Sequence, residues 1–411
     1  MDGVRKLLRN FRLMPLNSVT IEDEPKNQSK ATHDGPSAGS LFLRFGCIVF
    51  GMIGVIYYLF NAVLCLGREK CYTVSVILNL CAGIFMFTQM HFIFCNWKIT
   101  ILQSPIISRF GMMHLISTNF WTWMRYILIE EAVLSEEVSI SKLMHTSVVE
   151  YSIICGAIIF VLWRNIGQTK QERSLKRKFQ IRIDCSKTST GLFLGLLHLT
   201  MTLTSLAISS LYTTRGLDER ASNIFAVTNI VQRGSSCSTE NQFSDMKWMI
   251  STKIFQESLD SILLSLGLIG QMIFFMAGIV GIAATNKWNS ISLLLLFKHS
   301  TGLVQVGTQG SLIFIACKLR INDEPQSKRE QPGKQTITFL LVANIGIFLM
   351  NFFEDGSAGF SKDVISFYGK TNWIYLVRSF EPLIIFYRFH SSVCLAEIWK
   401  SAYSIKTNIS P

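Results

Sequence analysis

The sequence predicts an all-α polytopic membrane protein with about nine transmembrane helices in two pseudo-repeated halves. Three observations lead there. Apolar residues gather in runs of about twenty bounded by charges, the length at which a helix crosses a ~30 Å hydrocarbon core. Of the 411 residues 49% are apolar and 16% charged, and the Lys and Arg fall between the runs rather than within them. Third, a polar trio recurs in apolar surroundings in the same order: Gln89, Asn119 and Glu150, then Gln309, Asn344 and Glu381. Each member lies about one helix and one loop from the next. Polar side chains inside a bilayer cost free energy, so their repeated placement points to a purpose.

In chain order, residues 1–38 are polar and of mixed charge, without an apolar stretch of signal-peptide length, and read as a disordered cytosolic tail. Candidate spans follow at 41–66, 73–95, 110–130, 147–163, 191–212, 259–283, 291–317, 337–353 and 373–397. Orientation comes from the loops, because basic residues favour the cytoplasmic side. The stretch 164–187 carries Lys170, Arg173, Lys176, Arg177 and Lys178, and 318–334 carries Arg320, Lys328 and Arg329, so both are expected inside. The acidic stretch 131–145 and Glu354-Asp355 are expected outside. These assignments conflict in the middle, where one crossing is missing: either the segment 213–258 supplies an irregular one, or the chain lacks that helix. The domains are then a tail (1–38), an N-terminal half of four helices (39–166), a basic cytosolic loop (167–190), a C-terminal half of five helices (191–400) and a cytosolic tail (401–411). With this topology the two trios form a parallel repeat about an axis along the membrane normal.

A formal charge of +12 does not indicate nucleic acid when the charge sits in loops between spans. Cys47, Cys65, Cys81, Cys95, Cys155, Cys317 and Cys394 lie in or beside apolar runs without metal-ligand spacing and read as small packing residues. Asn27 and Asn408 stand in glycosylation sequons, but both fall in tails placed inside. The sequence offers no phosphate loop, no catalytic triad order and no metal motif, so neither catalysis nor a cofactor is expected.

What the repeated residues do offer is hydrogen-bond exchange. Amides donate and accept, Tyr does both, and a carboxylate holds a proton in transit. A constriction built of such groups passes protons, which hop along hydrogen bonds, and excludes ions that must move bodily. The plainer alternative is that Gln89, Asn119, Gln309 and Asn344 act as interhelical glue worth about 0.6 kcal/mol each. Gln305 shares a helix face with Gln309 and extends the same track. Tyr151 follows Glu150, which lies near the outer end of its span. His390, beside Arg388, is the candidate pH sensor, since imidazole titrates near pH ~6.5. Lys298 is expected to snorkel outward.

Four stretches resemble the otopetrin family: Gly39-Ser40 through Phe45-Gly46; Arg109-Phe110-Gly111 through Thr118-Asn119; Pro332-Gly333-Lys334 with Thr338 through Asn344; and Ile385 through Lys400. The resemblance implies a proton-selective channel opened by extracellular acid in the cell membrane, with a twelve-helix subunit in two halves. It carries family polar positions onto Gln89, Asn119, Glu150-Tyr151, Gln309, Asn344 and His390. It also implies a homodimer, or a dimer with a full-length member, surrounded by membrane lipid including sterol. Family members have two helices ahead of the Gly39-Ser40 motif and one between 191–212 and 259–283, where this sequence reads as polar. A non-conducting or regulatory subunit, or a proton-coupled transporter, stays open as an alternative.

Overall fold

The computed structural model describes residues 31–32, 38, 40–67, 71–102, 104–129, 139–167, 181–182, 188–243, 248–250, 257–285, 288–317, 319–321, 331–353, 362–403 and 405–406. Most of both tails with their sequons, the acidic loop 131–138, most of the basic loop, and Glu354-Asp355 lie outside the described residues.

The first half holds α1 (Leu41–Leu66), α2 (Thr73–Cys95), α3 (Pro105–Ile129) and α4 (Ser139–Asn165). The second holds α5 (Ser189–Thr214), α6 (Asp218–Phe243), α7 (Glu257–Thr285), α8 (Ser290–Ala316), α9 (Lys334–Phe353), the short α10 (Lys362–Tyr368) and α11 (Lys370–Ala402). Six of these helices, among the described residues, are long and apolar enough to cross a membrane by composition alone. Local chemistry sets their ends: Ser40 caps α1 by accepting the Leu43 N–H at 3.1 Å. In mid-helix, hydroxyls of Thr88, Thr118 and Ser152 donate back to the carbonyl four residues earlier, which satisfies them where no water is at hand.

The segment where the sequence reading lacks a crossing holds α6. Within the segment 213–258, expected to be irregular, residues 218–243 form a continuous 26-residue helix. The physical reason is an inverted amphipathic pattern. Asn229, Gln232, Arg233, Ser236 and Glu240 share one buried face at helical spacing, while Val227 and Val231 are exposed on the other. A hydropathy window averages the two faces and discards the segment.

Three short antiparallel ribbons fix the direction of each pass. They join β1 (Ala31–Thr32) to β2 (Thr100–Ile101), β3 (Ile181–Arg182) to β6 (Ile405–Lys406), and β4 (Trp248–Ile250) to β5 (Leu319–Ile321). The end of α4 reaches the same place, because Gly167 donates its N–H to the Ile101 carbonyl at 3.0 Å. The start of α1 and the ends of α2, α4, α6, α8 and α11 therefore share one end of the bundle, called here the ribbon end. This requires a full pass within 218–243, the one the loop charges demanded.

Each half has its own apolar core, one around Tyr151, Ile154 and Ile158, the other around Leu340, Ala343 and Leu395. They meet where α11 packs on α1 and α4. There the Phe389 ring lies over Gly46 and meets Phe50 edge-on at 5.1 Å, so the seam is apolar and aromatic. Large apolar side chains such as Phe45, Val63, Ile107 and Phe193 are exposed, as lipid-facing residues are. At the opposite end Cys65 is disulfide-bonded to Cys71, correcting its reading as a packing residue.

Candidate functional site

The second half carries a connected polar track. Gln305 on α8 donates from Nε2 to Glu240 Oε1 on α6 at 3.0 Å and also to Gln309 Oε1. Gln309 Nε2 in turn donates to Asn344 Oδ1 on α9 at 2.8 Å, and Asn344 Nδ2 donates to the Leu340 carbonyl at 2.8 Å. Thr308 donates to the second oxygen of Glu240 at 2.6 Å. Arg388 on α11 closes the arrangement. It donates to Gln305 Oε1 at 2.8 Å, to Gln309 Oε1 at 3.3 Å and to Asn344 Oδ1 at 3.4 Å. Gln305, Gln309, Asn344 and Arg388 are all fully buried.

The geometry orients the Gln305 amide without ambiguity, since its oxygen faces a cation and its nitrogen faces a carboxylate. Opposite charges on α11 and α6 thus bracket one amide, a favourable use of charge-assisted hydrogen bonds in low dielectric. Glu240 was missed by sequence reading because it lies in the segment read as irregular. The signal that would have found it is the helical spacing of Asn229, Gln232, Arg233, Ser236 and Glu240. Toward the other end of α6, Arg233 donates to Asn229 Oδ1 at 3.4 Å and Asn351 Oδ1 at 3.5 Å, with its guanidinium 4.7 Å from the Phe275 ring centre. Lys298, expected to snorkel outward, is instead buried with Nζ 5.5 Å from the Phe225 ring. It faces α6 because that helix supplies the polar lining.

In the first half the pieces are less connected. Tyr151 donates to the Met86 carbonyl and to Gln89 Oε1, both at 3.2 Å. Asn119 is buried, donates to the Leu115 carbonyl at 2.8 Å and packs against Gly156. Glu150 is fully buried well inside α4 rather than near its end, because the helix begins at Ser139. Among the described residues neither of its carboxylate oxygens meets a hydrogen-bond partner.

The halves repeat in a register the sequence did not give. Tyr151 bonds the carbonyl three residues before Gln89, and Tyr387 bonds the carbonyl of Val306, three before Gln309, at 3.1 Å. Tyr151 therefore matches Tyr387, and Glu150 matches Phe386. The expected pairing of Glu150 with Glu381 does not hold in space. Glu381 is half-buried immediately before Pro382, more than a turn from Tyr387. His390 lies off the track. It is fully buried, stacked on Phe386, with Nε2 2.9 Å from the Asp260 carbonyl.

A family model described as Otopetrin matches residues 42–140 and 135–389. The chain belongs to the otopetrin family. This otopetrin is similar to the proton channel OtopLc of Drosophila melanogaster, at 27% identity over 444 residues covering 90% of this chain and 28% of the relative. It is 24% identical to the proton channel OTOP1 of Danio rerio over 38% of this chain and 32% of the relative. Against OTOP1 of Mus musculus it is 24% identical over 44% of this chain and 35% of the relative. The matched part of this otopetrin thus spans about a third of the length of these relatives.

Proposed function

We propose that this chain conducts protons across a membrane through the second-half track Glu240–Gln305–Gln309–Asn344, with Arg388 holding the amides in register. The observation that carries this reading is the unbroken hydrogen-bond connection through the amides of Gln305, Gln309 and Asn344, which both donate and accept, tied to Glu240 and Arg388 so that four helices contribute. Such a constriction favours hopping protons over hydrated ions, which would have to shed water and displace several of these bonds. The names of the relatives, proton channels all three, support the same reading.

The ribbon end is taken as cytosolic, with both termini there, in the cell membrane. The basic loops support this orientation, and so does the Cys65–Cys71 disulfide at the opposite end, since disulfides persist on the oxidising side. Gln89, Asn119, Glu150 and Tyr151 form the corresponding path of the first half in this proposal. Opening by extracellular acid and assembly as a dimer within lipid and sterol belong to it as well. His390, on the ribbon side of the track, would sense external acid only through the track itself.

The test is whole-cell recording from cells expressing the full chain under a stepped external pH. The expected result is an acid-evoked current whose reversal potential follows the pH gradient and ignores Na⁺ and K⁺ replacement. Surface expression without such a current overturns the proposal.

A further inference from the structure

The track ends short of the ribbon end, and α11 continues past it with a second set of ionisable groups. His390 follows Arg388 on α11, with Cys394 and Glu397 one and two turns beyond His390, and these three face the first turn of α7, where Asp260 stands. His390 Nε2 lies 3.9 Å from Asp260 Oδ1, in addition to its contact with the Asp260 carbonyl. The Asp260 side chain is 14% exposed and that of Glu397 33%, so exposure increases toward the ribbon end. Glu397 Oε2 is 3.6 Å from Lys400 Nζ, itself part-exposed. Glu397 bears electrostatically on Asp260, and Cys394 and Cys317 share their surroundings. Lys334, another cation at this end, is held elsewhere, by Gln331 at 2.7 Å and with its Nζ 5.4 and 5.8 Å from the Trp399 and Tyr403 ring centres.

Three buried atoms of this group lack a hydrogen-bond partner among the described residues: His390 Nδ1, on a fully buried ring, Asp260 Oδ1 and Glu397 Oε2. Buried polar atoms without protein partners mark where ordered water completes the hydrogen bonding. We propose that Asp260 and Glu397, with His390 orienting Asp260, form the proton-release site of the second half, passing protons from water at the ribbon side of the track to the adjoining solution. This rests on the proton-channel reading above. Each transfer is balanced. Asp260 takes a proton from track water and gives it to Glu397 through bridging water, and Glu397 gives it to bulk water or to a dissolved buffer base, so both carboxylates return to their starting state.

A release site of this kind has a signature that a merely structural carboxylate lacks, because a soluble base can substitute for it. Inside-out patches carrying the full chain would be held at a fixed pH gradient while the concentration of a small buffer on the ribbon side is varied. Wild-type current should barely respond to buffer. Asp260→Asn/Glu397→Gln should lose current several-fold at low buffer, recover it at high buffer, and keep the wild-type reversal potential, whereas buffer on the far side should not restore it. Asp260→Glu, which keeps a carboxylate, should lose less current at low buffer than Asp260→Asn does. Surface biotinylation separates lost function from lost protein. Wild-type-like current in the double variant at every buffer concentration overturns the release site, as does a loss that ribbon-side buffer leaves unrestored. Absence of wild-type current overturns the channel reading itself and the release site with it.

Discussion

Arg388 donates from Nη2 to Gln305 Oε1 across 2.8 Å, linking the last helix to the centre of the polar track. The same amide donates to Glu240, so removing its polar atoms strands a cation and a carboxylate together. Gln305→Leu should therefore lower stability by about 1–3 kcal/mol for each buried group left short of a partner. Thermal unfolding in detergent followed by fluorescence-detected size exclusion reads the loss, and the conduction proposal adds a drop in current per surface channel. An unchanged melting point would show that the bracket is not energetically coupled.

Glu240 and Arg388 hold that amide from opposite sides. Glu240→Ala or Arg388→Ala alone should cost about 3–5 kcal/mol, because each leaves an uncompensated charge away from water. Together the two substitutions should cost clearly less than the sum. A double-mutant cycle on the unfolding free energies measures the coupling, and strict additivity would deny it.

The seam between halves depends on one close approach. A Cβ placed on Gly46 would lie 2.2 Å from Phe389 Cζ, a contact that forces the ring aside. Gly46→Ala should destabilise by about 1–3 kcal/mol through overpacking, and adding Phe389→Leu should restore part of it. Melting curves of the single and double variants decide the point.

Tyr151 and Tyr387 make the same bond in the two halves, each to a carbonyl three residues before a repeated Gln. Replacing either by Phe keeps the ring and removes the donor to that carbonyl, a single O–H that Tyr151 shares with Gln89 Oε1, so both should cost a similar ~0.5–1.5 kcal/mol. Markedly unequal losses would mean that the repeat is geometric only.

The Cys65–Cys71 bridge, with Cα atoms 5.4 Å apart, allows a test of sidedness. A membrane-impermeant reductant applied to intact cells, followed by maleimide labelling and peptide mass analysis, should modify both residues. Labelling only after permeabilisation would invert the proposed orientation.

Much of the fold is legible in the sequence because a helix in lipid must satisfy its own backbone hydrogen bonds, which makes spanning segments local properties of composition. The spans at 41–66 and 73–95 coincide with α1 and α2 for that reason. Where a helix turns a polar face inward, as α6 does with Arg233 and Glu240, local averaging fails and only loop charge signalled that a pass was missing. The site divides the same way. Gln309 and Asn344 could be named from their cost in an apolar run and Arg388 as the neighbour of His390, yet Glu240 could not.

By itself, the sequence determined the membrane class, most of the helices, the repeat of Gln89 and Asn119 in Gln309 and Asn344, and the need for one more crossing. Tertiary structure alone decided the partners. Gln305 meets Glu240 from 65 residues away and Arg388 from 83, and Tyr151 rather than Glu150 sets the register of the repeat. Helix formation is settled within a few turns of chain, whereas the choice of which buried groups pair is made only when separate helices pack and water is excluded between them.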